Sequence, residues 1–409
     1  MPTLGLDLGI DDVREARERI GGRARRTPLL SAGELSRRVG ARTRLKAENL
    51  QLTGSFKVRG AFNRLSQLSD AERAAGVVAA SAGNHAQGLS FAARELGIKA
   101  TAVMPAGAPL AKIAAVKQYG GHVVLNEGTY DEARHAADEL ARREGMTVIH
   151  AFDDPQVVAG QGTVGLEVVE DQPAVRLVVV PLGGGGLATG IAMAVKSLVP
   201  EARVVGVQAE ACAPYIDSLV AHRPIGARSA NTICDGIAVK QPGELTLPLV
   251  ERWIDEVVTV SDDEVAQAMV LLLERSKLVV EGAGAVGVAA LMQGKVAAPA
   301  EGEVCAVLSG GNVDASLLAE CIRLGETAAG RRIVLATVVP DRPGSLATLL
   351  RIVAEHGGNV VDVEHLREGM DLHLRETAIH LVLQTNGPEH DAEIFAAVKA
   401  EGFSVRIER

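Results

Sequence analysis

Short β-branched runs and longer Ala/Leu/Arg stretches alternate along most of this sequence, and few architectures accept that order. Residues 43–47, 77–80, 100–103, 122–125, 147–150, 177–180, 204–208 and 304–308 each read as strands. Between them, stretches such as 86–96, 130–144 and 265–276 repeat apolar residues at helical spacing. This alternation predicts βαβ units around mostly parallel sheets, an α/β fold. No internal repeat with a period of about 20–50 residues competes with that reading.

The pattern changes near residue 324. Gly325, Ala328, Ala329 and Gly330 precede the basic pair Arg331–Arg332, so 326–331 reads as a linker. Beyond it come strand (333–339), turn (340–344), helix (345–356), strand (359–366), strand (377–384), helix (388–401) and strand (403–407). That is a βαββαβ unit, the ferredoxin-like arrangement. A length of 409 residues accommodates two or three domains. The expected division is a large domain from 1–50 and 152–325, a small domain at 51–151, and the C-terminal unit at 332–409.

Composition narrows the partners. A net charge of −9 argues against nucleic acid or an anionic membrane as the main partner. Aromatics are only 2% of the chain, too few for the stacking platforms of single-strand binders. Cys212, Cys234, Cys305 and Cys321 form neither a CxxC pair nor a disulfide framework. Residues 1–12 carry Asp7, Asp11 and Asp12 and no basic n-region, so no secretory signal is read there. The uncharged stretch 177–195 is long enough to span a bilayer, but Pro181 and four consecutive glycines argue against a spanning helix. The expectation is a cytoplasmic enzyme.

Four constellations carry candidate chemistry. In Thr53-Gly54-Ser55-Phe56-Lys57, a lysine opens a helix among apolar neighbours, where positive backbone dipoles disfavour its protonated form. Such an amine suits a Schiff base; an ordinary surface lysine is the plainer reading. Ser81-Ala82-Gly83-Asn84-His85 follows a strand and opens a helix, which fits either a helix cap or an anion site at free N–H groups. His85 also reads as a core histidine. Gly183-Gly184-Gly185-Gly186-Leu187 lies between a strand and a helix and reads as a phosphate cradle. A dinucleotide reading stays open there, since Gly183, Gly185 and Ala188 fit GxGxxA and Glu210 follows about 20 residues on. Ser309-Gly310-Gly311-Asn312 ends a strand, as a turn and cap or as a ligand contact.

Order and spacing say more than any single motif. SFK, SAGNH some 25 residues on, GGGGL about 100 further and SGGN about 125 further form a specific series. It resembles the fold-type II (tryptophan synthase β-like) pyridoxal-phosphate enzymes, and most closely the threonine dehydratases, over about residues 10–325. Cys234-Asp235-Gly236-Ile237-Ala238 and Val280-Glu281-Gly282-Ala283-Gly284 are also in that family's style. The dinucleotide reading leaves Lys57, Asn84 and Ser309 unexplained, so it loses.

The resemblance implies that Lys57 holds pyridoxal 5′-phosphate, with Phe56 beside it. It implies that Asn84 bonds the cofactor's 3′-oxygen, that Gly183, Gly184, Gly185, Gly186 and Leu187 hold its phosphate, and that Ser309 faces the ring nitrogen. Ser81, Ala82, Gly83, His85, Gly236 and Glu281 are implied around the substrate. The implied reaction is deamination of L-threonine to 2-oxobutanoate and ammonium, slower on L-serine. Serine racemases of this fold carry a second acid–base serine where this chain has Ala82, so little racemisation is expected. Relatives with a divalent cation use a glutamate matching Glu210 and an aspartate six residues on; that position is Ile216, with Pro214 between and Asp217 out of register. No metal is expected.

The C-terminal unit, with Asp341-Arg342-Pro343-Gly344-Ser345-Leu346, resembles an ACT domain, the small amino-acid-sensing module. That resemblance places an effector, isoleucine or valine, against Asp341, Gly344, Ser345, Leu346 and Asn359 between paired modules of a homo-oligomer, a tetramer. The competing readings are a dehydratase for L-serine or threo-3-hydroxyaspartate, and, in a different class, an inactive amino-acid-binding regulatory protein.

Overall fold

The computed structural model describes residues 7–367 and 372–408. The chain divides into two compact units, Met1–Asp314 and Ala315–Arg409. The strands described in the first unit are β1 (Leu29–Ser31), β2 (Thr43–Ala47), β3 (Val77–Ala80), β4 (Ala100–Pro105), β5 (His122–Asn126), β6 (Thr147–Val148), β7 (Val175–Pro181), β8 (Arg203–Ala209), β9 (Glu256–Val260) and β10 (Glu303–Leu308). They form two sheets. The larger has the order β1-β2-β10-β7-β8-β9 and is parallel except for its β1–β2 pair. The smaller, β5-β4-β3-β6, is wholly parallel.

Helices cover the faces of these sheets, which is why β7 and β10 are near-continuous buried apolar runs. The helices Pro155–Asp171 and Gly186–Leu198 touch backbone to backbone. A Cβ on Gly165 would lie 2.8 Å from the Ile191 carbonyl oxygen, and one on Gly162 2.9 Å from that of Gly190. Val164, Val168, Ile191 and Val195 then fill the core beneath.

Two short strands, β1 and β9, were not legible in the sequence. Both lie at sheet edges, where burial is partial and the apolar pattern fades. The run expected at 147–150 stops at Val148 because the Ile149 carbonyl is taken by a side chain, as described below. The helix expected over 265–276 is Asp262–Leu271 followed by a π-helical turn, Leu272–Ser276. Among the described residues, no helix is long and apolar enough to cross a membrane; the 177–195 stretch is β7, a loop and the start of a helix.

The second unit begins with the helix Ala315–Ala328, whose last turn occupies the first half of the stretch expected as a linker at 326–331. Then come β11 (Arg332–Pro340), β12 (Asn359–Leu366), β13 (Glu376–Gln384) and β14 (Arg406–Glu408), with helices Ser345–Glu355 and Pro388–Ala400 between. The sheet is antiparallel in the order β12-β13-β11-β14, the ferredoxin-like arrangement. Leu335, Leu349, Ile352, Leu381, Ile394 and Val398 form its core.

Candidate active site

Three parallel strands deliver their carboxyl ends to one cleft, where open α/β sheets place ligands. β10 leads into Ser309, β7 into the glycine loop, and β3 into 81–84. The empty space of the cleft, counted out into open solvent, is about 480 Å³. Its lining includes Phe56, Lys57, Asn84, Gly183, Gly184, Gly185, Gly186, Leu187, Gly236, Glu281 and Ser309. Sequence motifs separated by up to about 250 residues thus meet in one place.

Lys57 is the first residue of the helix Lys57–Leu65. The segment before it is stitched to the end of β10: Phe56 N–H donates to the Ser309 carbonyl at 3.1 Å, and Gly311 N–H to the Gly54 carbonyl at 2.8 Å. The ammonium Nζ donates to the Ala151 carbonyl at 3.0 Å. Burial lowers the Lys57 pKa to about 8, and the nearby Glu281 carboxylate works against that drop. Desolvation, rather than the helix start alone, makes this amine available in its neutral form.

The glycine loop needs its glycines. Gly185 has φ +94°, and a Cβ there would lie 2.5 Å from the Tyr215 hydroxyl. A Cβ on Gly183 would lie 2.8 Å from Ile237 Cα, and one on Gly184 would fall against the Phe152 ring. The Tyr215 hydroxyl donates to the Gly184 carbonyl at 3.1 Å, fixing the loop. Gly186, Leu187 and Ala188 form the first turn of their helix, so their N–H groups have no partner within it and suit a phosphate.

Glu281 is buried, and its pKa is pushed up to about 7. Burial is the main cause and Asp235 adds to it; the hydrogen bond from Asn84 and the charge of Lys112 oppose it. Asn84 Nδ2 lies 2.7 Å from Glu281 Oε1. Lys112, in the helix Leu110–Gln118, pairs with Asp235 at 2.5 Å beside Gly236.

Among the described residues of the 81–85 run, Asn84 is the one lining the cleft. Ser81 Oγ accepts from Gly83 N–H and Ala86 N–H, so it caps the helix Asn84–Glu95. His85, expected around the substrate, is not among the residues lining the cleft. It is buried, its Nε2 hydrogen-bonds the Ile149 carbonyl at 2.9 Å, and burial drops its pKa to about 3. It is a neutral core histidine, and by taking that carbonyl it ends β6. Ala82 and Gly83 are half-buried in the turn that follows β3.

Several lining residues had no sequence signal. His150 Nδ1 accepts from Phe152 N–H at 3.3 Å and Asp153 N–H at 2.8 Å, a turn that brings Ala151 and Phe152 into the cleft. Asp153 Oδ1 then accepts from Thr246 N–H at 3.0 Å. Asp154 caps the next helix through Gln156 N–H and Val157 N–H. Only the cap and the proline after it follow a sequence rule.

In the second unit, Asp341, Gly344, Ser345 and Leu346 occupy the turn after β11. Asp341 pairs with Arg367 at 3.2 Å, Gly344 has φ +96°, Ser345 is buried, and Leu346 packs on the core. Asn359 lies elsewhere. It pairs with Gln384 at one end of β13, whereas Pro340 pairs with Glu376 at the other. Eight residues of strand separate them, roughly 27 Å, so one unit does not bring Asn359 to the turn.

The resident cofactor implied by the sequence fits these residues. The cleft holds a half-buried lysine with a lowered pKa, a glycine loop backed by free first-turn N–H groups, and a hydroxyl just after β10. A Cβ at Gly184 or Gly186 would collide with Phe152, so the loop can pack there only as bare backbone.

Comparison with known proteins agrees with the geometry. Residues 20–310 match the family described as pyridoxal-phosphate dependent enzyme, and 333–400 match the ACT domain. The chain is 46% identical over 400 residues to an L-threonine ammonia-lyase of Thermotoga maritima, covering 98% of this chain and 99% of that one. It is 44% identical over 324 residues to the catabolic L-threonine dehydratase of Escherichia coli, covering 78% and 97%. Among solved structures, the processed form of threonine deaminase isoform 2 from Solanum lycopersicum superposes with a TM-score of 0.73 at 35% identity, covering 78% and 87%. Maize serine racemase superposes with 0.73 at 34%, covering 77% and 96%. With its lysine, glycine loop and strand-end serine around one cleft, the chain belongs to the pyridoxal-phosphate dependent enzymes and carries an ACT domain after the catalytic unit.

Proposed function

We propose that this protein is a threonine ammonia-lyase, converting L-threonine to 2-oxobutanoate and ammonium, with L-serine a slower substrate. The observation that carries the reading is the meeting of Lys57, Asn84, the glycine loop and Ser309 on one cleft. Bound pyridoxal phosphate supplies an aldehyde for amine capture and an electron-withdrawing ring that acidifies the substrate Cα–H. Lys57, about half neutral near pH 8, would hold the cofactor and, once displaced, accept the Cα proton at Nζ. The N–H groups of 186–188 bind the phosphate. Asn84 donates toward the 3′-oxygen. Ser309 offers a neutral hydroxyl to the ring nitrogen, a weaker stabiliser of positive charge there than a carboxylate. That choice favours prompt loss of the β-hydroxyl as water over transamination. The released 2-aminocrotonate tautomerises and takes up water, giving 2-oxobutanoate and ammonium.

Residues 51–151, built on the smaller sheet, are the small catalytic domain in this reading, and 1–50 with 152–325 the large one. Around the substrate we place Gly236, Glu281 and Gly83, with Ser81 setting the helix start and Ala82 leaving the opposite face without a proton donor. The ACT unit serves feedback in isoleucine biosynthesis, in a cytoplasmic homotetramer. An effector touching both the 341–346 turn and Asn359 takes them from two copies, which the strand register supports.

The test is steady-state turnover of L-threonine, L-serine and threo-3-hydroxyaspartate, each with and without isoleucine or valine, with D-serine assayed among the products. Lys57→Ala is expected to lose turnover and the yellow absorption of the bound cofactor. Activity surviving in that variant would remove the central role of the lysine. A clear preference for 3-hydroxyaspartate, or D-serine formed as fast as 2-oxo acid, would replace the substrate reading.

A further inference from the structure

The amide of Asn84 can face the cleft with its NH₂ or with its oxygen, two choices of nearly equal shape and opposite polarity. In this fold the choice is made by a chain of hydrogen bonds that starts at a backbone carbonyl. The Thr53 carbonyl can only accept, so Asn312 turns its NH₂ toward it, with Nδ2 at 2.9 Å. Nδ2 also donates to Asn84 Oδ1 at 2.7 Å, a far shorter contact than the 3.5 Å that separates it from Gln87 Oε1. With its oxygen so engaged, Asn84 has its NH₂ left for the cleft, where it meets Glu281 Oε1. The Asn312 backbone also opposes the rise of the Glu281 pKa, so one residue bears on both ends of the contact.

The surroundings leave room for this relay and for little else. Gly54 has φ +72°, and a Cβ on it would lie 3.0 Å from Asn312 Cγ. A Cβ on Gly310 would lie 2.9 Å from Glu281 Cδ and 3.2 Å from Asn84 Nδ2. The glycines of two separate motifs therefore make space for the amide of Asn312 and its partners.

We propose that Asn312 is a positioning residue that locks the polarity of the Asn84 amide, so that a donor and not an acceptor is presented to the ring oxygen of the cofactor. The inference rests on the placement of Asn84 beside that oxygen given under the proposed function. A hydrogen bond donated to the ring oxygen favours its charged form, and its loss raises the pH at which the bound cofactor changes colour.

The experiment is a pH titration of the visible absorbance of the full-length, cofactor-loaded protein, with cofactor affinity measured by equilibrium dialysis. Asn312→Asp keeps the shape but, ionised, has no hydrogen to give, so Asn84 must rotate its NH₂ toward residue 312. The absorbance midpoint is expected to rise by about one pH unit, and the cofactor Kd about tenfold. Asn312→Ala, smaller and uncharged, is expected to shift the midpoint in the same direction. In an Asn84→Ala background, Asn312→Asp is expected to add no further shift, because its effect passes through Asn84. A midpoint unchanged in both Asn312 variants, or a shift of equal size without the Asn84 amide, would overturn the inference while leaving the cofactor site standing. A wild-type protein with no lysine-linked band would overturn both together.

Discussion

Replacing Arg59 by methionine tests what holds the Lys57 helix in place. Arg59 lies two residues beyond Lys57 and is 2% exposed. Its guanidinium grips Glu48 twice, at 2.8 Å each, and Glu167 at 2.7 and 2.9 Å. Lys46, also buried, completes a neutral quartet through Glu167 at 2.5 Å. Methionine keeps most of the aliphatic volume but leaves the quartet one charge negative, with Glu48 fully buried. Removing one partner of such a network costs about 3–5 kcal/mol. At about 2.1 cal/mol/K per residue, a unit of 314 residues unfolds with an entropy near 0.65 kcal/mol/K, so Tm should fall by about 5–8 °C. Scanning calorimetry of the full chain measures this. The double variant Arg59→Met/Glu48→Gln restores neutrality and should recover about half of the loss or more. Burial pushes the Glu48 pKa up, but the charge and hydrogen bonds of Arg59 outweigh it and hold the carboxyl below its ordinary value. The wild type therefore gains stability from Glu48 above the unfolded carboxyl pKa and loses it as pH falls through the folded one. Without Arg59 the shift reverses, so the penalty of the single variant should grow from pH 5 to pH 8. A double variant less stable than the single, or a penalty that shrinks with rising pH, would refute the reasoning.

Two further outcomes follow from the cleft. Gly184→Ala drives a methyl into the Phe152 ring, an overpacking of about 1–3 kcal/mol; equilibrium dialysis should show cofactor affinity down at least about tenfold, and an unchanged Kd would mean the ring yields freely. Reconstitution of the cofactor-free protein requires the neutral Lys57 amine, whose pKa lies at about 8. The rate of forming a borohydride-trappable adduct should rise about tenfold per pH unit below that value and level off above it; a flat profile between pH 6 and 8 would contradict the buried-amine picture.

How much of this could be read before the fold was known depends on where each signal resides. Strand–helix alternation is local, since a strand and a helix impose different spacings on the same apolar residues, and so the α/β class and the βαββαβ unit follow from the chain. Lys57, the glycine loop and Ser309 are legible for another reason: their motifs follow one another in a specific order and spacing, each at a strand end or helix start. Contacts between distant segments leave no such mark. Phe152 enters the cleft because the His150 ring turns the backbone, and His85 leaves it because the Ile149 carbonyl claims its ring. Asn359 and the 341–346 turn are 13 residues apart at their nearest, yet the antiparallel register sends them to opposite ends of one sheet. Residue order was enough to set most of the elements, though not the edge strands β1 and β9, and to point to the chemistry the chain can perform. The protonation of Lys57 and Glu281, the polarity of the Asn84 amide and the neutral role of His85 arise only in the folded molecule, because burial and hydrogen-bond direction are properties of neighbours that the chain order does not place side by side.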